Sequence, residues 1–292
     1  IEAYLEDLNS VEIWNHGYSG LALWQVNSYP FTMADGTQVF DINTVIRKST
    51  KKTQILEATY NISTGFIPPG TTANNDMCFD PLNFSMSQGN QRIVKIAILD
   101  TGIDADISSS TTPDLNYNLT SYTGYDYVNG DNVPEDEHGH GTHVTGIIHS
   151  ITNGIDSLGN KIKFYIYKTH DSLGQAKMSN VVKALIAAVE NQVDIVNMSF
   201  GLRDTFNVDS FFTLRNAIKF ANDKKVMIIA STGNDSINID NDDTILPAAF
   251  PEDNIVSVAA IHCGDSLTYF SNFGWKNADI SVLGHKIPGP DG

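Results

Sequence analysis

The chain has 292 residues, 41% hydrophobic and 18% charged, a balance that suits one large folded domain and excludes a disordered chain. A formal net charge of −16 and a pI near 4.7 argue against nucleic acid or an anionic membrane surface as partner. No apolar run approaches the roughly 18 residues of a membrane helix, and Cys78 and Cys263 permit either one disulfide or two separate thiols.

In chain order, Ile1 to Ser10 has the apolar spacing of a short helix, with Leu5 and Leu8 on one side, and Val11 to Trp14 alternates like a strand. From about Ser28 to Gln91 the pattern weakens. Ala34-Asp35-Gly36-Thr37 between apolar stretches signals a hairpin, while Pro68-Pro69 and Asn74-Asn75-Asp76 read as loops. We read this stretch as an insertion that decorates the domain. From Ile93 onward strands and helices alternate. Ile93 to Leu99 (I-V-K-I-A-I-L) is a continuous apolar run closed by Asp100, the pattern of a strand buried on both faces. Val144, Ile147, Ile148 and Ile151 mark a helix opened by the histidines before them. A strand is expected at 161–168, a helix through Val181, Leu185 and Val189 with Ser179 as N-cap, a strand at 193–199 and a helix at about 209–222. Further strands are expected at 225–231 and 255–261. Such alternation predicts an α/β fold: a mostly parallel sheet, right-handed crossovers and helices on both faces. No dinucleotide fingerprint or phosphate-binding loop is present.

The chemistry concentrates at the end of the first buried strand. Ligands of open α/β sheets gather at the carboxyl ends of strands, where Asp100 sits. His138-Gly139-His140-Gly141-Thr142-His143 opens the following helix, so a carboxylate and an imidazole can meet there. A carboxylate bonded to one ring nitrogen fixes the tautomer and leaves the other nitrogen free to accept a proton. Two other readings stand beside this one. Asp100 can be an ordinary turn or cap residue, and His138, His140 and His143 can hold Zn²⁺. Against zinc, no Glu follows at a metalloprotease spacing, and the paired glycines suggest close backbone approach.

Asp100-Thr101-Gly102-Ile103-Asp104, Gly139-His140-Gly141-Thr142-His143-Val144, Asn197-Met198-Ser199-Phe200-Gly201 and Ala230-Ser231-Thr232-Gly233-Asn234 together resemble the successive signatures of the subtilisin-like serine proteases. The resemblance covers residues 93 to 292. It implies a three-layer subtilisin-like fold and a serine endopeptidase acting on polypeptides, with Asp100 as the orienting acid, His140 as the base and Asn234 as the oxyanion donor. It also implies that Ser199, Phe200 and Gly201 pair with an extended substrate, and that Thr232 and Gly233 form the opposite wall of the pocket.

Gly124 to Glu135 is dense in oxygen ligands of the kind Ca²⁺ prefers. Some members of the resembling family bind calcium in such a loop, through positions matching Asp126, Asn129, Asp131 and Glu135. The bland alternative is a solvated acidic loop, which is also how Asp240 to Asp243 reads. Asp104 and Asp114 suggest a second calcium site, although their spacing departs from the usual one. The resemblance further implies a secreted or extracytoplasmic enzyme in which residues 1 to about 15 end an inhibitory propeptide. The mature domain then starts at about residue 16, near Leu23-Trp24-Gln25-Val26-Asn27, where Gln25 replaces the family's usual Gly.

The family's nucleophile, in Gly-Thr-Ser-x-Ala, follows a segment that Ala278 to Gly284 resembles, and residues 1–292 do not contain it. Ser257, Ser271 and Ser281 read as strand or loop residues, and Gly70-Thr71-Thr72-Ala73 lies in the wrong order. The expectation is a serine beyond Gly292, with residues 1–292 inactive by themselves. The alternative is a non-catalytic relative that binds peptides or protein partners through the old cleft.

Overall fold

The computed structural model describes residues 10–16, 21–26, 31–32, 38–39, 92–104, 122–153, 161–203, 212–241, 245–262, 266–285, 287 and 289–290. In the N-terminal part, β1 (Ser10–His16) pairs antiparallel with β2 (Leu21–Val26), and β3 (Phe31–Thr32) pairs antiparallel with β4 (Gln38–Val39). The second pair flanks Ala34–Thr37, the hairpin signal. The expected helix ends at Ser10, which instead begins β1; residues 1–9, the two cysteines, Asp114 and Asp242-Asp243 lie outside the described residues.

Seven strands form the main sheet: β5 (Val94–Asp100), β6 (Tyr122–Asp126), β7 (Ile162–Lys168), β8 (Ile195–Met198), β10 (Met227–Ser231), β12 (Ile255–Ile261) and β13 (Ile280–Leu283). Their spatial order is β13-β12-β10-β8-β5-β7-β6, and every pairing is parallel. A small antiparallel pair, β9 (Leu202–Arg203) with β11 (Ile245–Leu246), lies apart from it. Among the described residues three helices complete the layers: α1 (His140–Asn153), α2 (Met178–Glu190) and α3 (Phe212–Asp223). The expected α/β sandwich is the observed one.

Strand periodicity explains the layers. Successive side chains of a strand point to opposite faces, so Ala97 and Leu99 join Tyr165, Tyr167, Val196, Met198, Ile228 and Ala230 beneath α2 and α3. Ile96 and Ile98 go the other way, with Phe164 and Ile166, and meet Val144 and Ile148 of α1. Both faces of β5 are therefore covered, and Ile98 and Leu99 are fully buried. Each contributes about 1.5–3 kcal/mol by leaving water.

Two local expectations change. Ser179 is not the N-cap of α2. The helix begins at Met178, with extended Lys177 in the cap position and no side-chain cap bond. Burial of Met178 in the core draws the helix start back past the local capping preference. β6 and β13, unremarked in the sequence, are edge strands with little periodic signal, and Ile280 and Val282 are exposed.

Candidate active site

β5 lies between β8 and β7, with the later strands β8, β10, β12 and β13 added on the side away from β7. Its carboxyl end is thus the crevice where the strand order turns. Asp100 occupies that tip, 1% exposed, and its Oδ1 accepts the Thr101 backbone N–H at 2.7 Å. His140, forty positions on, is the first residue of α1, and its Nδ1 stands 2.7 Å from Asp100 Oδ1.

Close backbone approach makes this contact possible. A Cβ on Gly141 would fall on the Gly102 carbonyl oxygen and lie 3.2 Å from Asp100 Cβ. The Gly141 N–H donates to Thr101 Oγ1 at 2.8 Å, stitching the first turn of α1 to the strand tip. Asp136, which the sequence reading passed over, caps the same turn. Its Oδ1 accepts from the N–H groups of His138 (3.0 Å) and Gly139 (2.9 Å), and its Oδ2 from the N–H (2.9 Å) and hydroxyl (2.7 Å) of Thr142. An Asp four residues ahead of a helix start was the available signal.

Electrostatics follow from these contacts. Burial alone would lower the His140 pKa, but the charge of Asp100, its hydrogen bond and the more distant charge of Asp136 outweigh it, and the net shift is upward. Burial would raise Asp136; its hydrogen bonds to Thr142, Gly139 and His138 prevail and hold it below the usual carboxylate range. His170 lies behind Asp100, its N–H reaching the Asp100 carbonyl at 3.2 Å and its ring 4.6 Å from Phe200. Burial pushes its pKa down to about 4, so it is neutral where His140 titrates.

A cavity of about 410 Å³ opens beside His140. Ser199, Thr232, Gly233 and Asn234 line it with His140, and Val144, Ile148, Val258, Val282 and Leu283 supply apolar wall. Four of the six residues expected around a substrate and oxyanion are therefore gathered there. Gly201 borders the same place, since a Cβ on it would lie 3.8 Å from Gly233 Cα. The Phe200 side chain is 2% exposed and packs at a tilt against the His170 ring, turned away from the cavity lining.

Asn272, also missed, holds the 232–237 loop from beneath. Fully buried, it donates through Nδ2 to the Thr232 carbonyl (2.8 Å) and accepts at Oδ1 from the N–H groups of Asp235 (2.8 Å) and Ile237 (3.1 Å). A Cβ on Gly233 would come 2.6 Å from Asn272 Nδ2, and Gly233 has φ +95°. Glycine is needed there twice over.

The other candidates resolve differently. His143 Nε2 faces the Ile287 carbonyl at 3.3 Å, while the His138 and His140 rings meet edge-on at 6.3 Å. Among the described residues no three His, Cys, Asp or Glu side chains are arranged to hold a metal ion. Asp126 is 1% exposed, and its Oδ1 accepts the N–H groups of Val128 (2.6 Å) and Asn129 (2.8 Å). Its Oδ2 accepts the Asn129 side-chain amide at 3.0 Å. Asp131 Oδ1 accepts the Val133 N–H at 2.8 Å, and Glu135 is exposed. Side-chain oxygens of Asp126 and Asp131 are thus engaged by main-chain N–H groups of the loop itself. The three serines read as strand or loop residues are so placed, with Ser271 also lining the cavity. Ser257 Oγ donates to the Asn277 carbonyl (2.7 Å), Ser271 Oγ to the Asn272 carbonyl (2.8 Å), and Ser281 lies in β13.

Comparison with known proteins adds a family. A family model described as the Subtilase family, peptidase S8, matches residues 91–289. A thermophilic serine proteinase of Bacillus sp. strain AK1 is 32% identical over 62% of this chain and 41% of its own length. The minor extracellular protease Epr of Bacillus subtilis is 30% identical, over 66% of this chain and 27% of its own. The cell wall-associated protease of the same organism is 32% identical, over 75% and 23%. The chain thus spans less than half the length of these relatives. Among solved structures, a cold-adapted subtilisin-like serine proteinase superposes with a TM-score of 0.56 at 21% identity, over 75% of this chain and 72% of that one. A lanthipeptide protease superposes with a TM-score of 0.54 at 24% identity, over 66% and 56%. At that identity the likeness speaks for the fold.

Proposed function

The chain belongs to the subtilase family, and on that premise we propose that it is the larger part of the catalytic domain of a serine endopeptidase. The observation that carries this reading is the 2.7 Å contact between His140 Nδ1 and the buried Asp100 carboxylate, beside a cavity that Asn234 also lines.

In this reading Asp100 accepts a hydrogen bond from the His140 Nδ1–H, which leaves the lone pair on Nε2. That nitrogen takes the proton of an attacking hydroxyl and later returns it to the leaving amine. Between the two transfers the imidazolium is stabilised by the carboxylate beneath it. The Asn234 amide donates to the oxygen that gains charge in the tetrahedral intermediate. The main chains of residues 199–201 and 232–233 flank an extended peptide as neighbouring strands would. In this reading the nucleophile is a serine C-terminal to Gly292. Residues 1 to about 15 end a propeptide, and the enzyme works outside the cytoplasm; the names of the extracellular and cell wall-associated relatives support that location. Among the described residues no helix is long and apolar enough to cross a membrane.

The test is labelling of the longest natural form with a serine-directed fluorophosphonate, followed by mapping of the labelled peptide. Labelling on a serine beyond residue 292, abolished by His140→Ala, is expected. A folded protein that takes no label and still binds peptides would instead be a non-catalytic relative.

A further inference from the structure

The loop that leads into α1 is anchored by a lysine to which neither the motifs nor the proposed mechanism gives a role. Alternation along β7 puts Lys168 on the α1 face with Phe164 and Ile166. The register sets it between Asp126 of β6 and Asp100 of β5. Its side chain is 1% exposed. Nζ donates to the Glu135 carbonyl at 2.7 Å and to Glu137 Oε2 at 3.0 Å, and stands 3.8 Å from Asp126 Oδ2.

An ammonium has three donors and no acceptor, and it stays charged in a buried place only when oxygens surround it. Here a carbonyl and two carboxylates do so, the donor types a hard divalent cation would use. The residues that meet Lys168 bracket Asp136, whose carboxylate caps the turn bearing His140. Lys168 therefore acts two steps from His140, through Glu135 and Glu137 and then through Asp136.

We propose that Lys168 is the built-in cation of this loop: its ammonium, rather than a divalent metal ion, ties residues 126–137 to the sheet and so sets the position of Asp136 and the first turn of α1. It is a positioning residue that touches no substrate.

Hydrogen exchange on the full natural protein tests this, read at the amides of Val128, Asn129, His138 and Gly139. In the unaltered protein their protection is expected to be the same in chelator and in millimolar Ca²⁺. Lys168→Ala should lower it about tenfold, the size of one charge-assisted hydrogen bond. Propylammonium, which replaces the deleted carbons and charge, should restore protection, whereas propan-1-ol should not. Glu137→Ala removes only a partner whose side chain is 57% exposed and leaves the core untouched. It should lower protection at His138 and Gly139 about threefold, so the idea stays testable even if Lys168→Ala does not fold. Loosening of the loop by chelator in the unaltered protein would overturn the proposal. So would full protection in Lys168→Ala, an unchanged Glu137→Ala, or equal rescue by the alcohol. None of these readouts involves peptide hydrolysis, so failure of the protease reading would not affect them.

Discussion

Gly141 and Gly102 touch backbone to backbone, leaving no room for a side chain between the first turn of α1 and the tip of β5. The Asp100–His140 contact depends on that approach, because the imidazole reaches the carboxylate only when the helix start lies against the strand. Gly141→Ala should push α1 outward at a cost of about 1–3 kcal/mol, the usual range for overpacking. A lower Tm should accompany a fall in the His140 pKa as Asp100 draws away. An NMR titration of the His140 ring checks it, and an unmoved pKa would break the link.

The pH dependence has a definite sign. His140 must be neutral to accept a proton, and Asp100 raises its pKa above the ordinary 6.5. The acid limb of kcat/KM in the longest natural form should therefore lie above pH 6.5. Asp100→Asn should move the limb down and reduce kcat on the order of 10⁴-fold. For stability, the raised folded-state pKa contributes fully below pH 6.5, and the contribution fades as pH rises through the folded value.

His170 works in the opposite direction. Its folded pKa of about 4 means that the unfolded chain takes up this proton first as pH falls. Stability should decline between about pH 6.5 and 4, by on the order of 3 kcal/mol from this residue. Urea unfolding at several pH values measures the slope, and His170→Gln should flatten it. An equal slope in that variant would place the acid sensitivity elsewhere.

The two asparagines should separate cleanly. Asn234 is exposed on the cavity wall, so Asn234→Ala should leave Tm nearly unchanged and lower kcat by about 10²–10³-fold with little change in KM. Asn272 is buried, and Asn272→Ala strands the N–H groups of Asp235 and Ile237. It should cost about 3 kcal/mol and slow fluorophosphonate labelling through a loosened 232–237 loop. Calorimetry beside labelling kinetics distinguishes the two.

Local chemistry in the sequence determined much of this protein by itself. The apolar run 93–99 reads as a covered strand and that strand is β5 (Val94–Asp100), the spacing after His140 reads as a helix, and the Gly pair around His140 implies contact. Period and residue type are properties of neighbouring positions, so a sequence displays them directly. Where Lys168 sits, which way the Phe200 ring turns and what the oxygens of Asp126 accept were decided by tertiary structure alone. Each depends on strand register and on groups tens of positions away. Lys168 meets Asp126 because β7 lies between β5 and β6, an order the chain does not spell out.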